Sequence, residues 1–498
     1  MARILSIDAG TTGVKSLIVD ESGAVLGSGY REFPQSFPRP GWVEHDPDDW
    51  WTATIESSQE ALAATGTEPS SVTAVGITNQ RETTVIWDRA SFKPIYPAIV
   101  WQDRRTAPLC NTLREEGWTE RVRDRTGLVI DPYFSGTKVA WLLDNVPDAR
   151  KAAATGDLAY GTVDAYLLAR LTGGRVHATD WTNASRSMLF DINKLDWEAE
   201  IIERLDIPPA LLPSVGPSSG RFGMTAPNAF LGLEVPVSGM AGDQQAALFG
   251  QASFEPGATK NTYGTGSFVL MNTGDRPPPS SGRVIATMAC GQGETPAYAL
   301  EGSIFVTGAA IQWLRDGLQI IERADEAGSL AASVPDTGGV YFVPALTGLG
   351  APWWDPYARG TIVGITRGTT RAHLVRAAVE AMAYQTRDVV EAMLADGDVP
   401  LVELRVDGGA SAMDLLLQFQ ADLLRVPVRR AAIQETTALG AAYLAGLAEG
   451  VWSNLGELSA LWREDRAFEP DGSARTDEGY AGWRRAVERS LDWIADRS

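Results

Sequence analysis

The chain has 498 residues, more than one core accommodates, and 44% are apolar, which excludes extended disorder and predicts two or three domains. Forty-three basic against 63 acidic side chains leave a net charge of −20, a field that repels nucleic acid, and no basic stripe relieves it. Two cysteines, Cys110 and Cys290, make neither a disulfide framework nor a metal cluster; with a strand in place of a secretory leader and no apolar run of roughly 18 residues, they predict a cytoplasmic protein with no membrane insertion.

Residues 3–8, 14–20 and 24–31 read as strands. The first ends at Asp8 and turns through Ala9-Gly10-Thr11-Thr12-Gly13 into the second, which carries Lys15. Glycines let backbone N–H groups approach a ligand and threonines add hydroxyl donors, so this tip suits phosphate. Asp8 beside it suits a hydrated Mg²⁺, although a tight turn with an acid at a strand end looks the same. A helix is expected over 48–65, then strands at Val72–Thr78 and Thr83–Asp88 around the turn Asn79-Gln80-Arg81-Glu82. There Arg81 offers forked donors and Glu82 accepts from hydroxyls; a surface ion pair is the plainer alternative. Trp101 and Tyr133 each present an apolar face with a polar tip, in core or ligand wall alike.

Helices near 138–145 and 162–171 precede a strand at 235–238 and a helix from Gln244. Asp243 stands at that strand-to-helix junction, as an N-cap or as a general base with Gln244 orienting the hydroxyl. The stretch 250–257 is the best boundary and divides the chain into 1–250 and 251–498. Beyond it the hairpin theme recurs, through Tyr263-Gly264-Thr265-Gly266 into Ser267–Met271. A third glycine turn, at 406–411, follows a strand at Leu401–Val406 and leads into a helix over 412–424. Helices at 372–394 and 435–449 carry a 3.6-residue apolar period and are assigned to core and interface. Neither a Walker A loop nor a Gly-x-Gly-x-x-Gly between strand and helix occurs. An α/β fold is expected, of two actin-like (ribonuclease H-like) ATPase domains with a cleft between them.

The stretches 41–47, 76–83, 126–138, 242–250, 261–266 and 348–356 resemble the glycerol kinase branch of the FGGY carbohydrate kinases, and the likeness runs from Ile4 to about Trp483. The resemblance implies ATP as phosphoryl donor with Mg²⁺ as cofactor, phosphorylation of a terminal hydroxyl of glycerol, and a homo-oligomer (dimer or tetramer). By motif, Arg81, Glu82, Tyr133, Asp243 and Gln244 hydrogen-bond the polyol, Trp101 and Phe268 wall its carbon edge, Asp243 is the base and Asp8 organises Mg²⁺. Thr11, Thr12, Gly13, Lys15, Thr265, Gly308, Gln312, Gly409 and Met413 fall at nucleotide contacts.

The chain departs from the family's pattern at three places. Lys15 replaces an arginine, Met413 and Asp414 stand where an Asn pair is common, and Glu234 replaces the arginine with which some members bind fructose 1,6-bisphosphate. The alternatives are a kinase for another small polyol or sugar (erythritol, threitol, a pentulose) and a non-metabolic actin-like ATPase.

Overall fold

The computed structural model describes residues 2–472 and 476–494. The strand Arg3–Ala9 is apolar at alternate and intervening positions, and Ile4, Leu5 and Ile7 are wholly buried, as a central strand requires. It pairs antiparallel with Gly13–Asp20, which sets Asp8 opposite Lys15, and parallel with Ala74–Asn79. Val25–Glu32 closes one edge, where its burial alternates. On the other flank Pro236–Gly242 runs parallel to Ala74–Asn79, and Ser219–Met224 returns antiparallel.

The second sheet is built around Ala258–Tyr263, antiparallel to Ser267–Gly274 and parallel to Glu403–Asp407. Ala297–Ile304 flanks Ser267–Gly274, Val428–Ala431 runs parallel to Glu403–Asp407, and Glu464–Phe468 ends that side. Read across, both sheets show antiparallel, antiparallel, parallel, parallel, antiparallel pairings; the second adds Ile285–Ala289 as a seventh strand to the six of the first. The recurrence visible in the sequence as a second hairpin is thus a recurrence of the whole sheet.

The halves are interlocked. The helix Thr436–Ala448 lies in the second half of the chain but packs on the first sheet, with Ala438, Leu439 and Ala442 among Ile4, Ala74 and Ala246. Its approach is close enough to demand glycine: a Cβ on Gly76 would stand 2.2 Å from the Ala441 carbonyl oxygen, and one on Gly440 1.9 Å from that of Ala246. The helix Arg371–Asp396 instead packs under the second sheet, with Val375, Ala378 and Met382 against Leu404, Val406 and Leu417.

Two local expectations are corrected. The strand expected at Thr83–Asp88 begins at Val85 and pairs with Leu158–Gly161, not with Ala74–Asn79, because the chain leaves the sheet at Gln80. The helix after Pro236–Gly242 starts at Asp243, one residue earlier than expected, and its N-cap is Gly242.

Candidate active site

At the end of Ala74–Asn79 the chain turns sharply, with Glu82 at φ 61°, and Arg81 and Glu82 both point inward and are buried. They do not pair with each other, so the surface-pair alternative fails. The two terminal nitrogens of Arg81 grip Glu301 at 2.5 and 3.1 Å, Nη1 also reaches Gln245 Oε1 at 3.2 Å, and Nε stands 3.0 Å from Asp243 Oδ1. Arg186 continues the series, with Nε 2.6 Å from Glu82 Oε1 and Nη2 3.1 Å from Glu301 Oε1. Asp243, Arg81, Glu301, Arg186 and Glu82 form a chain of alternating charge crossing between the two halves. Such charges are tolerated away from water only when paired and hydrogen-bonded.

The electrostatic outcome differs along this chain. Burial alone raises every carboxyl. At Glu301 the guanidinium groups of Arg186 and Arg81 overcome burial and hold the acid at about 2. At Glu82 burial prevails over the same arginines and the carboxyl is raised. At Asp243 burial likewise prevails, over Arg81 and the ammonium of Lys260, so its carboxylate is more basic than an ordinary one. Asp243 is the first residue of its helix and not the cap; its Oδ1 accepts the Gln244 N–H at 2.7 Å.

Trp101, Tyr133 and Phe268 come together as an aromatic wall, the first two rings edge-on at 5.8 Å and Trp101 and Phe268 at 6.5 Å. The Arg81 guanidinium lies 5.7 Å from the Phe268 ring and that of Arg186 5.5 Å from Tyr133. Lys138, wholly buried, donates to the backbone carbonyls of Tyr133 and Glu82 at 2.7 and 3.2 Å and so ties the two segments. Among the described residues, Glu82 Oε2, Tyr133 Oη, Asp243 Oδ2 and Gln244 Nε2 make no hydrogen bond, yet none is sealed from solvent. Free acceptors and donors beside an apolar wall suit a small molecule that carries hydroxyls on a carbon chain.

The first hairpin tip adjoins this cluster. Trp101 Nε1 donates to Thr11 Oγ1 at 3.0 Å, and Gln80 Nε2 donates to the Gly10 carbonyl at 3.0 Å. Asp8 is pushed up to about 7 by burial first, then by the charges of Asp243 and Glu435, against Lys15. Lys15 itself is paired with Glu435 at 2.6 Å. Thr12 is exposed at the tip and Gly13 buried behind it. The second hairpin tip gathers a separate group: Gly308 N–H donates to the Gly264 carbonyl and Thr307 N–H to that of Thr265, with Thr265 and Gln312 exposed. The Gly408-Gly409 turn lies against Tyr263, whose carbonyl oxygen would be 2.4 Å from a Cβ on Gly408. Met413 packs its side chain on the second core, and the Asp414 carboxylate is taken up by Arg430 and Arg466 at 2.9 and 2.5 Å.

Sequence reasoning missed Arg186, Glu301, Lys260 and Lys138. Two of them carry a signal: Glu301 is the lone acid of the strand Ala297–Ile304, and Lys260 the lone cation of Ala258–Tyr263. A single charge in an otherwise buried strand needs a partner.

Residues 3–250 match the family model for the N-terminal domain of the FGGY family of carbohydrate kinases, and residues 259–449 that for its C-terminal domain. The chain belongs to this family. Within it, the chain is 57% identical to glycerol kinase 2 of Thermotoga maritima and 57% identical to the glycerol kinase of Symbiobacterium thermophilum, each over 494 residues and 99% of both chains. Among solved structures it is similar to Plasmodium falciparum glycerol kinase with ADP, at TM-score 0.92 and 35% identity, covering 99% of this chain and 98% of that one. Among the described residues no helix is long and apolar enough to cross a membrane.

Proposed function

We infer that the chain transfers the γ-phosphoryl group of ATP to a terminal hydroxyl of glycerol, giving sn-glycerol 3-phosphate and ADP. The observation that carries this reading is the cluster of free polar atoms on Glu82, Tyr133, Asp243 and Gln244 beside the wall of Trp101 and Phe268, in a chain 57% identical to glycerol kinases. Glycerol has three hydroxyls and a short carbon edge, and this arrangement offers partners for both.

In this reading Asp243 Oδ2 takes the proton of the terminal hydroxyl as its oxygen bonds to the γ-phosphorus and the bond to the ADP oxygen breaks. General-base help of this kind contributes about 10²–10⁴ in rate. Arg81 keeps the carboxylate oriented through Oδ1. The amides of the first hairpin, the hydroxyls of Thr11 and Thr12, and Lys15 hold the γ-phosphate, which requires Lys15 to leave Glu435. Thr265, Gly308, Gln312, Gly409 and Met413 line the rest of the nucleotide. Asp8 fits Mg²⁺: its carboxyl lies in an excess of acid, with Asp243 and Glu435 close by, and Mg²⁺ is held by one or two carboxylates plus phosphate oxygens and water. Bound there, Mg²⁺ supplies neutralisation of phosphate charge. The half 1–250 carries the polyol-binding residues and the first phosphate hairpin, and the half 251–498 is the nucleotide-binding part; residues 473–475 and 495–498 of the second lie outside the described residues. A cytoplasmic homo-oligomer is the state we propose.

The test is ATP consumption by purified protein with glycerol, erythritol, threitol, xylulose or no acceptor. Turnover with glycerol well above the others supports the reading. Preference for a longer acceptor, or ATP loss without any, contradicts it.

A further inference from the structure

Lys260 is wholly buried and, apart from its charge near Asp243, has no part in the chemistry above. It rises from the first strand of the second sheet, and its ammonium donates to Gln244 Oε1 and, at 3.1 Å, to Thr262 Oγ1. An ammonium has donors and no acceptor, so the amide group of Gln244 can face it only through its oxygen. The NH₂ end is therefore turned away, and Nε2 is the atom left without a partner among the described residues. A primary amide is nearly symmetric in shape, and nothing else bonded to this one distinguishes its two orientations. Lys260 thus decides whether position 244 presents a donor or an acceptor.

We propose that Lys260 is a positioning residue that holds the Gln244 amide as a hydrogen-bond donor toward an oxygen of the acceptor substrate. This rests on the acceptor-site reading above and deepens it. The geometry is reinforced from behind. Asp407 lies close enough to favour the charged ammonium, and its Oδ2 is fixed by Gln251 Nε2 at 2.7 Å and Thr436 Oγ1 at 2.6 Å. Burial pulls Lys260 down to about 8, with Asp407 opposing it, so the ammonium form prevails at neutral pH.

A residue that acts through another is revealed by a double-mutant cycle. Wild type, Lys260→Met, Gln244→Met and the double variant are compared for glycerol KM, ATP KM and kcat. Lys260→Met is expected to raise glycerol KM about tenfold, the scale of one lost hydrogen bond in a dry site, and to leave ATP KM within about twofold. The double variant is expected to match Gln244→Met in glycerol KM. Separate effects that multiply, or a Lys260→Met enzyme with unchanged glycerol KM, overturn the proposal. If the methionine variant does not fold, Lys260→Leu serves the same cycle. Absence of glycerol-dependent turnover in the wild type overturns the acceptor reading and this inference together, whereas a wild type that turns over glycerol with an indifferent Lys260→Met overturns this inference alone.

Discussion

Glu301, wholly buried, and Asp243, partly open to solvent, both bond Arg81, yet they end with opposite acidities. Glu301 has two guanidinium groups, which outweigh burial; Asp243 shares one guanidinium and a more distant ammonium, and burial prevails. The first is a permanent counter-ion and the second is left basic. Glu301→Gln is expected to leave Arg81 and Arg186 short of one negative charge in a dry site and to cost about 3–5 kcal/mol, read as a lower denaturant midpoint. A loss below about 1 kcal/mol contradicts the clamp. Asp388 offers a cleaner titration. Burial raises it to about 6, against the donors Trp483, Tyr480 and Trp353 at 2.8, 2.7 and 3.4 Å. Its folded pKa lies above the unfolded value near 3.9, so the folded state binds the proton more tightly and this group favours folding as pH falls from about 7 toward 4. Asp388→Asn is expected to remove about 1.4 kcal/mol of that relative gain between pH 8 and pH 5, seen by comparing unfolding midpoints of both proteins at the two pH values. Parallel pH profiles contradict it.

Among the elements, the helix Thr436–Ala448 shows most clearly what local sequence reveals. The 3.6-residue apolar period expected there is not one-sided: the helix is apolar on every side, which marks a buried helix. The pattern does not say which sheet it covers, because its partners Gly76, Ala246 and Ile4 lie hundreds of residues earlier. The backbone-to-backbone approach at Gly440 leaves no room for a side chain, so Gly440→Val is expected to unseat the helix and destabilise by more than about 3 kcal/mol in a thermal melt. An unchanged melt contradicts the packing. The hairpins were legible because each is one contiguous segment whose acid, glycines and threonines state their purpose locally. Arg81, Glu82 and Asp243 were legible as residue types, but not their partners: Glu301 is 220 positions from Arg81, and Arg186 is 104 from Glu82. Only folding brings such charges together, and the Arg81-Glu82 adjacency in sequence suggested the wrong pair.

At the scale of the whole molecule, the charged cluster and its aromatic wall are built from both halves. Arg81, Asp243 and Trp101 come from the first and Glu301, Lys260 and Phe268 from the second, so relative movement of the halves changes the site itself. In the proposed reaction, closing of the halves would keep water from the γ-phosphate. The net charge of −20 adds a field that disfavours anionic effectors away from the nucleotide site, and the exposed Glu234 adds to it. Fructose 1,6-bisphosphate at millimolar concentration is expected to leave the rate unchanged, and clear inhibition contradicts this. The central claim is that Asp243 serves as the base in a site otherwise built for binding. It is tested most directly by steady-state kinetics of Asp243→Asn with glycerol and ATP. The account predicts a fall in kcat of about 10²–10⁴ with glycerol KM changed far less. Near-wild-type turnover, or a loss confined to KM, contradicts it.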